Sequence, residues 1–148
     1  MKDKAKQGRV NRRKGQDWER KVAKDMRELG FELAATTRSE SKLLDDCLLD
    51  LCNLPFNIQL KNGYEKARPK YDKLFRDTKE RIDAKIPKGH MLDKIREQPF
   101  LLIHKFGNSE EESTVTMTYS YFLELLKTIQ NCKNIELVPK QEIDIIID

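Results

Sequence analysis

Long hydrophobic runs, paired cysteines and low-complexity tracts are all missing from this 148-residue sequence. No segment approaches the roughly 20 consecutive apolar residues that a membrane-spanning helix requires, and the N-terminus lacks the apolar stretch of a signal peptide. The three cysteines are odd in number and form no CxxC pair, which argues against a disulfide framework and a zinc site. We therefore expect no membrane partner and a reducing, cytoplasmic location.

Charge, by contrast, is abundant and unevenly distributed. Charged residues make up 36% of the chain, yet the formal net charge is only +4. Residues 1–14 and 61–96 each carry a net charge of +6, whereas residues 15–60 and 97–148 carry −3 and −5. Such concentrations of lysine and arginine are typical of surfaces that bind nucleic acid phosphates without reading base sequence.

The first helix is predicted over residues 16–29, after a basic arm. A chain of about 150 residues favours one domain, so we expect a flexible arm over residues 1–14 and a single domain over residues 15–148. At about 100° per residue, the apolar side chains of this helix cluster on one face, and Glu19 falls at the edge of that face. Gly30 then provides a left-handed stop.

Strands and helices alternate along the rest of the chain. Period-two alternation and short apolar runs predict strands at residues 31–36, 47–52, 56–61, 100–105, 114–118 and 143–147. Helical periodicity predicts helices at residues 71–86 and 121–129, and loops or turns are expected at residues 38–46 and 107–113. This order favours an α/β fold with a mixed β-sheet flanked by helices.

Asp50 is an acidic residue inside an apolar predicted strand. Burying a carboxylate costs several kcal/mol unless it is paired or binds a metal. On the following strand, period-two alternation places Gln59 and Lys61 on one face. Because neighbouring strands lie about 4.8 Å apart, a turn between the two strands would bring Asp50 beside both side chains. Glu19 joins them if the first helix packs on that side.

These four side chains supply two carboxylates, an amide oxygen and an ammonium group. Mg²⁺ prefers a few oxygen ligands and keeps several waters. A metal in this position lowers the pKa of a bound water and stabilises charge that develops on a phosphate. Lys61 can orient that water or neutralise the phosphate, so the set suits hydrolysis of a phosphodiester.

The pattern resembles the PD-(D/E)XK nuclease superfamily, because Asp50 is followed after eight residues by Gln59-Leu60-Lys61 and preceded by Glu19 in a helix. The resemblance implies a restriction-endonuclease-like core. It also implies that Glu19 and Asp50 are metal ligands, that Gln59 takes the usual acidic ligand position, and that Lys61 is the catalytic lysine. The implied cofactor is Mg²⁺ or Mn²⁺.

Shorter stretches are similar to small Holliday junction resolvases and their phage-encoded relatives. Residues 12–15 (RRKG) are similar to the start of archaeal-type resolvases, and residues 56–61 (FNIQLK), 104–105 (HK) and 122–127 (FLELLK) are similar to phage versions. The resemblance covers about residues 12–127. It implies cleavage of branched DNA in recombination by a homodimer, since two symmetric cuts call for a two-fold axis. The basic arm adds expected DNA contacts at Arg9, Arg12, Arg13 and Lys14. The resemblance adds Arg38 and Ser39.

Gln59 departs from the superfamily pattern, which has Asp or Glu at that position. The amide keeps an oxygen ligand but removes a negative charge, so metal affinity should fall or depend on Asp45 or Asp46. Asp46 is also the alternative to Asp50 as the motif aspartate, and no proline directly precedes Asp50. Two other functions stay open: a related nuclease for linear, flapped or single-stranded DNA, and an inactive nucleic-acid-binding module of the same fold.

Overall fold

The computed structural model describes residues 3–63, 67–106 and 112–132. Its strands are β1 (Ala35–Thr36), β2 (Leu51–Cys52), β3 (Asn57–Asn62), β4 (Phe100–Lys105) and β5 (Thr114–Thr116). Its α-helices are α1 (Lys4–Glu28), α2 (Thr37–Glu40), α3 (Lys42–Asp46), α4 (Tyr71–Lys85) and α5 (Tyr119–Asn131), and a 3₁₀ helix spans Asp93–Glu97.

The five strands form one mixed sheet in the order β1-β2-β3-β4-β5. The pairs β1–β2, β2–β3 and β4–β5 are antiparallel. β3 and β4 are parallel, with Asn57 opposite Phe100, and the chain connects them through α4. The expected α/β class, with a mixed sheet and flanking helices, is confirmed.

Helix α1 packs on one face of the sheet. Asn62 and Lys105 are register partners on β3 and β4 and so share a face. The Asn62 side-chain amide donates to the Lys14 carbonyl oxygen at 3.4 Å, and the Lys105 ammonium lies 5.0 Å from the centre of the Trp18 ring. These contacts hold the middle of α1 over the central parallel strands.

The opposite face carries an apolar cluster. Asn57 lies five residues before Asn62 and therefore points the other way, where its side-chain amide donates to the Ile95 carbonyl oxygen at 2.8 Å. The buried cluster there draws on α3, α4, the 3₁₀ helix and the segment around β2; its members are Leu44, Cys47, Leu49, Cys52, Ile82, Ile86 and Ile95. The sheet is thus covered on both faces.

The expected flexible arm is wrong, because the helix begins at Lys4 and continues to Glu28. Asp3 caps it by accepting a hydrogen bond from the Ala5 amide at 3.0 Å. The following residues are mostly lysine, arginine, glutamine and alanine, all good helix formers. The predicted stop is confirmed, since Gly30 has a φ of 107°.

Several strand and loop boundaries also differ from expectation. The loop expected at residues 38–46 contains α2 and α3, and Ser41 caps α3 by accepting from the Leu44 amide at 3.3 Å. The strand expected at residues 47–52 is reduced to β2, because Leu48 has a φ of 66° and breaks the extended backbone. Boundaries for α4 and β4 agree with the periodicity to within one residue.

The chain divides into two compact units, residues 1–117 and 118–148. The sheet and α1 to α4 belong to the first, and α5 belongs to the second. The strand expected at residues 143–147 and most of the turn expected at residues 107–113 lie outside the described residues. None of the helices within the described ranges combines the length and apolar character that crossing a bilayer requires.

Candidate functional site

Asp50 is held at the junction of β2 and β3 by the main chain. Its amide donates to the Ile58 carbonyl oxygen at 2.9 Å, and its own carbonyl oxygen accepts from the Thr37 amide at 3.0 Å. Its carboxylate accepts from the Leu60 amide at 2.6 Å. Because β2 has only two residues, the Asp50 side chain replaces a backbone partner where that strand ends. The carboxylate is therefore fixed in the plane of the sheet.

Glu19 reaches the same region from α1. Its side chain is buried, with 9% exposed, and its Oε2 lies 3.3 Å from Nε of the half-exposed Arg38. Burial first, and then the negative charge of Asp50, raise the pKa of Glu19 to about 7, and the Arg38 guanidinium opposes both effects. The effect of Asp50 on this pKa indicates that the two carboxylates belong to the same charged region.

Asp50 also has a raised pKa. Burial raises it, and the hydrogen bond from the Leu60 amide and the positive charges of Lys61 and Arg38 oppose the rise, so that the pKa of Asp50 is about 6. Two carboxylates with raised pKa values at one strand junction are typical of a site that binds a cation or exchanges protons. Lys61 and Arg38 supply the positive charge around them.

Gln59 lies on β3 between Ile58 and Leu60, on the strand face that Lys61 shares. Its side chain is buried at 4% exposure, and its Oε1 atom accepts no hydrogen bond from any described residue. Leaving a buried polar group unpaired costs about 1–3 kcal/mol. Gln59 lies two residues from Asn57 and therefore shares the sheet face opposite α1, the helix that carries Glu19.

Asp45, rather than Asp46, is the additional carboxylate near the site. The negative charge of Asp45 raises the pKa of both Glu19 and Asp50. Asp46 lies 4.0 Å from Lys42 instead, because neighbouring residues of a helix point about 100° apart. The predicted set of Glu19, Asp50 and Gln59 is thus not joined by Asp46.

Thr37 is a supporting residue that the sequence did not indicate. Its side chain is completely buried, and its hydroxyl donates to the Leu49 carbonyl oxygen at 2.6 Å. The same hydroxyl lies 3.5 Å from an Asp45 carboxylate oxygen. Thr37 therefore ties α2 and α3 to the segment that carries Asp50. A threonine at a strand end has no pattern that would have revealed this role.

The expected DNA contacts fall in two places. Arg9, Arg12, Arg13 and Lys14 are exposed on the N-terminal part of α1. Arg38 contacts Glu19 directly, as described above. Ser39 is exposed beside it, with its hydroxyl donating to the Thr36 carbonyl oxygen at 2.9 Å. The described residues bring only Arg38 into contact with a carboxylate of the site.

The residues present fit a hard divalent cation that keeps most of its waters. Within the described ranges, no three His, Cys, Asp or Glu side chains are grouped so that they could hold a metal ion. Mg²⁺, however, is commonly bound through one or two carboxylates plus water and substrate phosphate. Glu19 and Asp50 are the two carboxylates that could take this role.

A cavity of about 470 Å³ is lined by Leu49 and Leu51, on either side of Asp50 in the sequence, but not by Asp50 itself. Its lining is mainly apolar, and the side chains that contribute include Leu33, Leu54, Phe56, Leu92 and Lys94. No carboxylate takes part in the lining, so this cavity has no acid–base pair. The chemistry of the described residues is concentrated at the β2–β3 junction.

Compared with known proteins, the chain matches no family model, no curated protein and no solved structure. Its function is therefore inferred from the residues and their geometry.

Proposed function

We propose that this protein is a metal-dependent DNA endonuclease with a restriction-endonuclease-like core, and that it hydrolyses phosphodiesters in branched DNA such as a four-way junction. One observation carries the proposal. Glu19 and Asp50 both have raised pKa values, Asp50 contributes to the shift of Glu19, and positive charge lies beside them, because Arg38 acts on both carboxylates and Lys61 acts on Asp50. Structural stability alone gives no reason to place these groups together.

Glu19 and Asp50 are the residues that would hold Mg²⁺ or Mn²⁺. When bound, such an ion supplies Lewis acidity toward a phosphate oxygen and toward water. Lys61 contributes a positive charge beside Asp50, where it neutralises the scissile phosphate or orients the attacking water. Arg38 is half exposed beside Glu19 and offers a second positive charge to an incoming phosphate.

The branched substrate is supported by the resemblance and by the segregated charge rather than by the site itself. Two symmetric cuts on a four-way junction call for a two-fold dimer. The α5 side chains Phe122, Leu123 and Leu126 are exposed and apolar, which favours the second unit as the dimer interface. Light scattering with and without junction DNA tests this, and a monomer in both conditions would count against the dimer.

The activity is tested on an end-labelled four-way junction with Mg²⁺ or Mn²⁺, beside a matched duplex and single strand. We expect junction cleavage to exceed cleavage of both controls. Lys61→Ala should slow it by about 100-fold or more, as expected for removal of a charge that acts on the transition state. Lys24→Ala, at an exposed lysine of α1 outside the two basic segments, is the matched control and should cut normally. If Lys61→Ala cuts as fast as the parent, the assignment is wrong.

An inactive nucleic-acid-binding module is the second candidate, and Gln59 is the feature that favours it. Gln59→Glu restores the acidic residue of the superfamily pattern, so it should tighten divalent metal binding in a calorimetric titration if the site binds metal. Tight DNA binding by the parent without metal binding or nicking would support the inactive module. Preferential cleavage of linear, flapped or single-stranded DNA would instead identify a related nuclease.

A further inference from the structure

The N-terminal extension, defined as residues 4–14 of α1, is exposed along its whole length. Each of its eleven residues is exposed, whereas buried positions begin at Trp18. It contains no acidic residue. Its six basic residues are Lys4, Lys6, Arg9, Arg12, Arg13 and Lys14.

The basic side chains surround the helix axis. At about 100° per residue, no gap between neighbouring basic side chains around the axis is wider than about 80°. Counted from Lys4 at 0°, the angles are about 80° for Arg12, 140° for Arg9, 180° for Arg13, 200° for Lys6 and 280° for Lys14. A helix that rests on one strand of phosphates needs positive charge on one side only. Positive charge all round the helix suits a binding site in which phosphates lie on two opposite sides of the helix.

The basic residues of the extension repel one another. Like charges three or four residues apart, such as Arg9 and Arg13, oppose helix formation, although Asp3 caps the helix and Arg13 pairs with Asp17. Gly8 lowers helix propensity further. A helix with this sequence is consistent with a partner of opposite charge that neutralises it.

We propose that the N-terminal extension enters the major groove of duplex DNA and contacts the phosphates of both strands that border the groove. The major groove is about 12 Å wide and admits an α-helix, whose diameter with side chains is about 10–12 Å. The extension is about 16 Å long, and Lys14 lies only about 7.5 Å before Glu19 along the axis. The proposal shares with the proposed function only that the ligand is DNA, since it requires no cleavage.

Two double charge reversals with the same change of charge test whether both sides of the helix contact phosphate. Arg9→Glu/Arg13→Glu alters one side, and Lys4→Glu/Lys14→Glu alters the other. Affinity for a 20-base-pair duplex is measured in EDTA by fluorescence anisotropy at several salt concentrations. We expect each pair to weaken binding about tenfold or more, and to reduce the salt slope by about two through the loss of two phosphate contacts. If only one of the two double variants binds duplex DNA more weakly, the proposal that the helix lies in the major groove (the groove model) is overturned.

A second comparison tests whether the extension must be helical. Asn11→Pro removes a helical hydrogen bond and keeps every charge, and Asn11→Ala is its control because both variants lose the 2.9 Å hydrogen bond between Gln7 and Asn11. We expect only the proline variant to weaken duplex binding by about tenfold, and to lose the helical circular dichroism that duplex DNA stabilises in the parent. Equal affinities would identify a flexible polybasic segment and overturn the proposal.

The failures of the two proposals are distinguishable. A parent protein that cuts junctions while none of these variants alters duplex affinity refutes the groove model and leaves the endonuclease intact. A parent that never cuts DNA but binds duplex through both sides of the extension refutes the endonuclease and leaves the groove model intact.

Discussion

The two halves of α1 belong to one helix and have different surroundings. The N-terminal extension carries a net charge of +6 and buries nothing, whereas residues 15–28 have four basic and four acidic residues. The second half buries four residues, which are Trp18, Glu19, Val22 and Ala23. Stability and the candidate chemistry therefore depend on the second half, and attraction to phosphate depends on the first. Substitutions in the two halves should change different measured quantities.

The largest expected effect is a loss of stability in the packed half. Trp18→Ala should lower the free energy of unfolding by about 3–5 kcal/mol, because it removes a large buried ring. Val10→Ala, in the N-terminal extension at 42% exposure, should change it by about 0.5 kcal/mol or less. Urea unfolding followed by circular dichroism measures both. Similar losses for the two variants would contradict the division of the helix.

The same contrast explains which half of the helix the sequence could predict. Apolar periodicity locates the second half because its buried residues face the sheet. The N-terminal extension is polar on every side and has no such period, so its helix was expected to be an arm. Long strands such as β4 were predictable because their apolar runs are uninterrupted. β2 was overestimated because the left-handed backbone at Leu48 has no signal in a leucine.

The second expected effect is a gain in stability that depends on pH. The folded protein raises the pKa of Glu19 to about 7, through burial first and then through Asp50. Between the unfolded value near 4.5 and the folded value near 7, the native state binds more protons than the unfolded state, so stability falls as pH rises through this window. Glu19→Gln removes that penalty and should stabilise the protein by on the order of 2 kcal/mol at pH 8.

Thermal unfolding at pH 8 and at pH 4 tests whether Glu19→Gln stabilises the protein in this way. At pH 4 the carboxyl is largely protonated in both states, so the parent and Glu19→Gln should unfold at nearly the same temperature. Glu32→Gln, at an exposed position after α1, is the control and should have little effect at either pH. A variant that loses stability at pH 8 would show that ionised Glu19 is favourably paired rather than costly.

The candidate site was predictable where its members are close in sequence or share a strand. The spacing of Asp50, Gln59 and Lys61 along the sequence was sufficient to propose these three residues as a set. The contact between Glu19 and Arg38 joins α1 to α2, a helix that the sequence presented as a loop, so no local pattern contains it. The choice between Asp45 and Asp46 depends on the direction in which α3 turns, and this is known only once Ser41 is placed as its cap.

Arg38→Gln should lower the stability of the protein at pH 8, by less than Glu19→Gln raises it. The positive charge of Arg38 lowers the pKa of Glu19 and of Asp50, so Arg38→Gln should raise both values further. The variant should then lose about 1 kcal/mol of stability at pH 8 and little at pH 4. Arg20→Gln is the matched control, because Arg20 is the weakest of the charges acting on Glu19. Equal losses for Arg38→Gln at the two pH values would indicate lost packing rather than lost charge.

The smallest expected effect on stability is in the N-terminal extension, and it comes with a clear effect on binding. Arg13 is 86% exposed and lies 3.9 Å from Asp17, a surface pair that contributes about 0.5 kcal/mol or less. Arg13→Gln should therefore unfold at the urea concentration of the parent. Its affinity for duplex DNA in EDTA should nevertheless fall, with the salt slope reduced by about one because one phosphate contact is lost. A variant that loses stability and keeps its affinity would place Arg13 with the packed half of the helix and remove the distinction between the two halves.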